Sequence, residues 1–176
     1  MPARIGHSCY VILLFISWMI LLSGFTGCSS KPLPLAAIEK AESLTLYSID
    51  GRDYVDRDGE KTKTDETIHG YPVVGKVEIK DAEKRKAIVA ALKTGLEQKD
   101  TKMAKCFWPR HAIRTVEAGK TIDYVICFEC HQLELWAGER KTVFPLSDDP
   151  KPTMNKILMD ANVTIVPDGK PGMEKN

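Results

Sequence analysis

"HAIRTVEAGKTIDYVICFECHQLELW", residues 111–136, decides how this chain folds. Two runs rich in β-branched residues flank Ala118-Gly119, and a glycine between such runs marks a hairpin. A two-residue loop sets Glu117 opposite Lys120. Counting back along both strands, His111 faces Ile126, Arg110 faces Cys127, and Cys106 comes opposite His131. Cys106 should therefore stand beside the Cys127–His131 segment despite the distance between them along the chain. Pro109 has no amide to donate, so the first strand should bend between Cys106 and His111.

The second run carries an irregularity of its own. Ile122, Tyr124, Ile126 and Phe128 put apolar groups on even positions, whereas Leu133 and Leu135 put them on odd ones. Because strand side chains alternate between faces, a change of phase in one long strand signals a bulge or sharp bend. It is expected within Glu129–Gln132, where a bend could let Cys127 and Cys130 converge.

Outward from this block, "SLTLYSI" (43–49) alternates Leu44 and Leu46 against Tyr47 and Ile49, a first strand. The polar stretch 50–70 reads as an exposed loop with a weak hairpin around Tyr54, and His69-Gly70 as a turn. It lacks the ladder of carboxylates that a calcium loop needs. "YPVVGKVEI" (71–79) reads as a strand with Val73, Gly75, Val77 and Ile79 on one side. Asp81 can cap a helix over 82–98, whose apolar stripe is Ile88, Ala91, Leu92 and Leu96. Asp148-Asp149 leads into a short helix over 153–161 with Met154, Ile157 and Leu158 inward. The fold class expected is α+β: an antiparallel sheet of about four to six strands, one main helix on one face, and a short C-terminal helix.

Of the 25 Lys and Arg residues only Arg4 precedes Cys28, so the chain from Cys28 onward sets 24 basic against 24 acidic residues. That balance gives no electrostatic footprint for nucleic acid or an anionic membrane. Membrane contact is expected instead from the N-terminus, where Cys9–Phe25 runs uncharged into "TGCSS". "FTGC" resembles a bacterial lipobox, with Phe25 where Leu is usual. The resemblance implies a signal peptide over 1–27 and an acylated Cys28 as the mature N-terminus. Ser29 and Ser30 resemble lipoproteins sent on to the outer membrane, which implies a cell-envelope protein anchored by lipid and facing the periplasm. A lipid anchor and tether over 28–40, one domain over 41–166 and a loose tail over 167–176 complete the organisation expected. An uncleaved membrane anchor over the same apolar run is the alternative.

Export places Cys106, Cys127 and Cys130 where thiols tend to oxidise. Cys127-Phe-Glu-Cys130-His131 is also letter for letter a haem c attachment string, though in a β run rather than at a helix start. Four readings stay open. A disulfide from Cys106 to Cys127 or Cys130 would leave the third thiol buried and inert. Zinc would take Cys106, Cys127, Cys130 and His111 or His131 as a closed structural set. Haem c would use the whole string. A reactive thiol would gain from Arg110 and His111, which favour a neighbouring thiolate.

Cys106-Phe107, Pro109-Arg110-His111 and Cys127-Phe128-x-Cys130 together resemble an uncharacterised family of small exported bacterial proteins with a Cys-Phe-x-Pro-Arg-His … Cys-Phe-x-Cys pattern. "LYSID" (46–50) and "HGYPVVG" (69–75) extend the likeness over most of the mature chain. The resemblance implies that Cys106, Arg110, His111, Cys127 and Cys130 form one unit, and it carries no activity. Two functions follow as expectations: an envelope protein whose cysteine cluster serves the fold through a disulfide or zinc, or a periplasmic redox or metal-handling protein using Cys127 and Cys130. No motif for a serine hydrolase, a phosphate loop or paired carboxylates is present, and no protein partner or substrate is implied.

Overall fold

Among the described residues seven strands make one sheet, antiparallel at every pairing. The computed structural model describes residues 33–52 and 64–169. The lipobox-like segment with Cys28, the stretch around Tyr54 and residues 170–176 lie outside the described residues. The elements are α1 (Ala36–Lys40), β1 (Ser43–Ile49), β2 (Thr67–Ile68), β3 (Tyr71–Glu78), α2 (Ala82–Glu97), β4 (His111–Glu117), β5 (Lys120–Cys127), β6 (Gln132–Ala137), β7 (Arg140–Pro145) and α3 (Lys151–Asp160). The α+β class stands, but among the described residues the sheet, in the order β2-β3-β1-β4-β5-β6-β7, has seven strands rather than four to six.

The β4–β5 hairpin has the register read from the sequence, with Glu117 opposite Lys120 and His111 opposite Ile126. Ala118 and Gly119 both take positive φ, 49° and 72°, the pair of left-handed residues that a two-residue hairpin turn requires. β1 occupies the expected residues. Its Leu44 and Leu46 face one core cluster while Tyr47 and Ile49 face another.

The expected bend within Glu129–Gln132 is instead a hairpin turn. β5 stops at Cys127, Phe128–His131 form the turn, and β6 runs back with Cys127 opposite Gln132 and Ile126 opposite Leu133. A four-residue loop pairs even positions with odd ones, so the phase reversal keeps Tyr124, Ile126, Leu133 and Leu135 on a single face. Gly138 (φ 61°) then turns β6 into β7.

Two further expectations are corrected. Thr67–Ile68, inside the segment read as loop, pairs with β3 and buries Ile68. The alternation in β3 also slips: Ser48 faces Gly75 but Ile49 faces Val73, leaving Val74 as an extra residue. Val73 therefore packs with Ile49, and Val77 packs with Leu46 on the other side.

The three helices cover one face. In α2 the Asp81 carboxylate accepts from the amides of Glu83 (2.8 Å) and Lys84 (3.4 Å), the cap expected. Ile88 and Leu92 of α2 join Met154, Ile157 and Leu158 of α3 over Leu44, Leu46, Ile113 and Ile126. Burying each such side chain stabilises the fold by about 1.5–3 kcal/mol. Leu33 and Ile38, the latter in α1, belong to the same core, so the chain expected as tether over 28–40 is already packed from Leu33. At the other end Val166 is buried, and the chain expected as loose from 167 is held at Pro167 and Gly169 by Arg110.

Candidate functional site

The turn between β5 and β6 gathers the three cysteines. Four residues of turn set the Cα atoms of Cys127 and Cys130 5.2 Å apart, and their sulfurs are joined in a disulfide, within the span a disulfide bridges. Both are buried, at 1% and 0% exposure. His131 completes the turn in the left-handed region, φ 51°, its amide bonded to the Phe128 carbonyl at 3.0 Å. The disulfide expectation holds with a changed pairing: Cys127 bonds Cys130, and the free thiol is Cys106, which is half-buried rather than enclosed.

Cys106 does lie beside the turn, as the hairpin count requires. Its Sγ is 3.5 Å from Cys130 Sγ. The segment is pinned there by several bonds. The Ala104 amide donates to the Cys130 carbonyl at 2.9 Å, and the Trp108 amide donates to Cys130 Sγ at 3.4 Å. Gln132 Nε2 donates to the carbonyls of Cys106 (3.3 Å) and Ala104. β4 begins only at His111, after Pro109. Gly51 is tucked against that proline, its amide 2.9 Å from the Pro109 carbonyl, where a side chain would collide.

Arg110 and His111 reach the same turn through Glu129 and Phe128. Arg110, 4% exposed, donates to the carbonyls of Trp108 (3.0 Å), Pro109 (3.5 Å), Pro167 (3.2 Å) and Gly169 (3.0 Å), with Glu129 at 3.7 Å. Burial lowers its pKa, opposed by Asp50 and Glu129. Its guanidinium ties the turn to the C-terminal segment, and Glu129 also accepts the Gly169 amide at 2.8 Å. His111 Nε2 bonds Asn155 Oδ1 of α3 at 2.7 Å, and its ring stands edge-on to Phe128. Burial pushes its pKa down to about 4, against the Asn155 bond, so it is neutral at pH 7. With the amide oxygen as acceptor, Nε2 carries the hydrogen; Nδ1 is buried and without a partner among the described residues, as is Ser48 Oγ on the facing strand residue.

Joined to each other, Cys127 and Cys130 offer no thiolate to zinc and no thiol to a haem thioether. Among the described residues no group of three or more His, Cys, Asp or Glu side chains is placed to hold a metal ion. His131 lines an open cavity of about 490 Å3 with Gln98, Asp100, Lys102 and Asp148.

A second polar cluster, unforeseen from sequence, occupies the sheet face away from the helices. Asp123, 4% exposed, accepts from Arg114 Nε (2.7 Å) and Nη2 (2.8 Å) and bonds His69 Nε2 (2.8 Å). The His69 ring stacks on Trp136 at 4.2 Å. His69 is the turn residue expected, with φ 50°, yet nothing local points to Asp123, and β1 and β4 stand between β3 and β5 in the sheet. No family model, curated protein or solved structure matches this chain.

Proposed function

We propose that the protein is an exported, lipid-anchored envelope protein in which the cysteine cluster serves the fold. The observation that carries the structural part is the buried Cys127–Cys130 disulfide closing the β5–β6 turn. That turn receives the Cys106 segment, Arg110 and the C-terminal segment together, so stiffening it orders three stretches of chain. Closing a loop this short stabilises by about 2 kcal/mol through the entropy of the unfolded chain. The anchoring part rests on the N-terminal residues, with Cys28 as the acylated position and the outer membrane, periplasmic side, as the destination. Among the described residues no helix is long and apolar enough to cross a membrane. A zinc role would require the disulfide to open first.

Three measurements test the reading. Labelled palmitate should enter the wild-type protein and not Cys28→Ala, and wild type should fractionate with the outer membrane. The double variant Cys127→Ser/Cys130→Ser should lose about 2 kcal/mol of stability in urea. Label retained in Cys28→Ala refutes the anchor, and unchanged stability in the double variant refutes the structural role.

A further inference from the structure

Of the three clustered sulfurs, two are joined and enclosed, and the third lies against one of them on a half-buried residue. Cys106 Sγ lies 3.5 Å from Cys130 Sγ, the separation from which a thiolate attacks a disulfide. This closeness is built rather than incidental. The Ala104 and Trp108 amides and the Gln132 side chain hold the Cys106 segment on the turn from both sides of the cysteine. A thiol so held acts at a far higher effective concentration than a free one.

We propose that Cys106 is an exchange thiol, through which the buried disulfide reacts with thiols in solution. Cys106 gives up its proton to solvent, and its sulfur lone pair forms a bond to Cys130 Sγ. The Cys127–Cys130 bond breaks, its electron pair leaves with Cys127 Sγ, and Cys127 takes up a proton. One disulfide and one thiol are present before and after, so no oxidant or reductant is consumed. The bridge has moved to Cys106–Cys130, with the half-buried residue Cys106 at one end. A thiol of a small molecule or an extended peptide can then attack Cys106 Sγ, forming a mixed disulfide there and releasing Cys130 as the thiolate. The substrate class is a solvent-borne thiol. The activity is added to the structural role and rests on the disulfide proposed for it.

Tryptic cleavage separates the two bridge positions. Cys106 falls on the peptide 106–110, whereas Cys127 and Cys130 share the peptide 121–140. A Cys127–Cys130 bridge is therefore internal to one peptide, and a Cys106–Cys130 bridge joins two. The full chain, extracted in mild detergent, is held at pH 8 with a trace of glutathione, alkylated rapidly, digested and weighed. In parallel, the rate at which excess glutathione reduces the disulfide in the folded protein is followed for wild type, Cys106→Ser, and wild type alkylated at Cys106 without substitution. The expected result is the joined peptide in wild type, and reduction slowed by about tenfold or more in both blocked forms. Absence of the joined peptide, or an unchanged rate in either blocked form, overturns the proposal. A bridge found only within 121–140 overturns the exchange and leaves the structural disulfide standing; three free thiols overturn both.

Discussion

Moving the pH from 7 to 5 sets the buried imidazole of His111 against the folded state. The ring is 1% exposed, its Nε2 is committed to Asn155, and among the described residues its Nδ1 has no partner to receive a new hydrogen. Burial lowers its pKa from 6.5 to about 4, with Lys151 and Arg110 adding to the fall and Asn155 and Asp168 opposing it. Between those two values the unfolded chain binds the proton and the folded protein does not. Stability from this group is thus complete above pH 6.5, declines as the pH drops, and has been lost by pH 4. At pH 5 the unfolded imidazole is almost fully charged and the folded one mostly neutral, a difference of about 2 kcal/mol. Urea unfolding followed by far-UV circular dichroism reads this as a fall of about 1 M in the midpoint from pH 7 to pH 5. Asp50 is a different case: burial raises its pKa, but its bonds to Arg52 lower it further below 3.8, so its contribution fades outside this window. The control is His111→Gln, which cannot titrate. Its midpoint should fall less than that of wild type over the same range, and equal declines in the two proteins would refute the reasoning.

Removing the shared acceptor in Asp123→Ala strands Arg114 and His69, and urea unfolding should show a loss of about 2–3 kcal/mol. Ile38→Ala should cost about 2–4 kcal/mol by the same assay, because this residue of α1 is fully buried; a neutral result would mean that α1 does not pack in solution. Gly51→Ala brings a Cβ to 2.5 Å from Pro109, so the β1 end or the proline must shift. Its expected cost is about 1–3 kcal/mol, with faster amide exchange at Gly51 and Ile49 as the local sign.

The parts of this fold legible in the sequence are those whose signals are local and periodic. Alternation gave the two faces of β1, the Ala118-Gly119 turn gave the β4–β5 register, and three- to four-residue spacing gave the buried sides of α2 and α3. The β5–β6 hairpin escaped because Phe128-Glu129-Cys130-His131 holds none of the usual turn residues, and a histidine takes the left-handed position. The phase reversal was visible, but a bend and an even-residue turn produce the same reversal. The turn closes Cys127 and Cys130 into one loop, which leaves Cys106 as the free thiol. α1 was hidden by Pro32 and Pro34, which read as tether, and the β3 slip by Val74, which looks like its neighbours. The Asp123 cluster depends on contacts fifty-four residues apart and has no local signature at all.

Among the described residues β7 forms one rim of the sheet, pairing with β6 alone. Its outward amides and carbonyls make a template on which a strand of another molecule could add, with Val143, 42% exposed, at its middle. A chain that nets zero charge from Cys28 onward provides no general repulsion between copies. The guard against self-association must then be local: Arg140 and Lys141 at one end of the rim and Pro145 at the other. Lys141 is already engaged by Glu134 at 2.8 Å and lies over Trp136. Among the described residues, the Arg140 guanidinium and the missing amide of Pro145 are what guards this rim against an added strand.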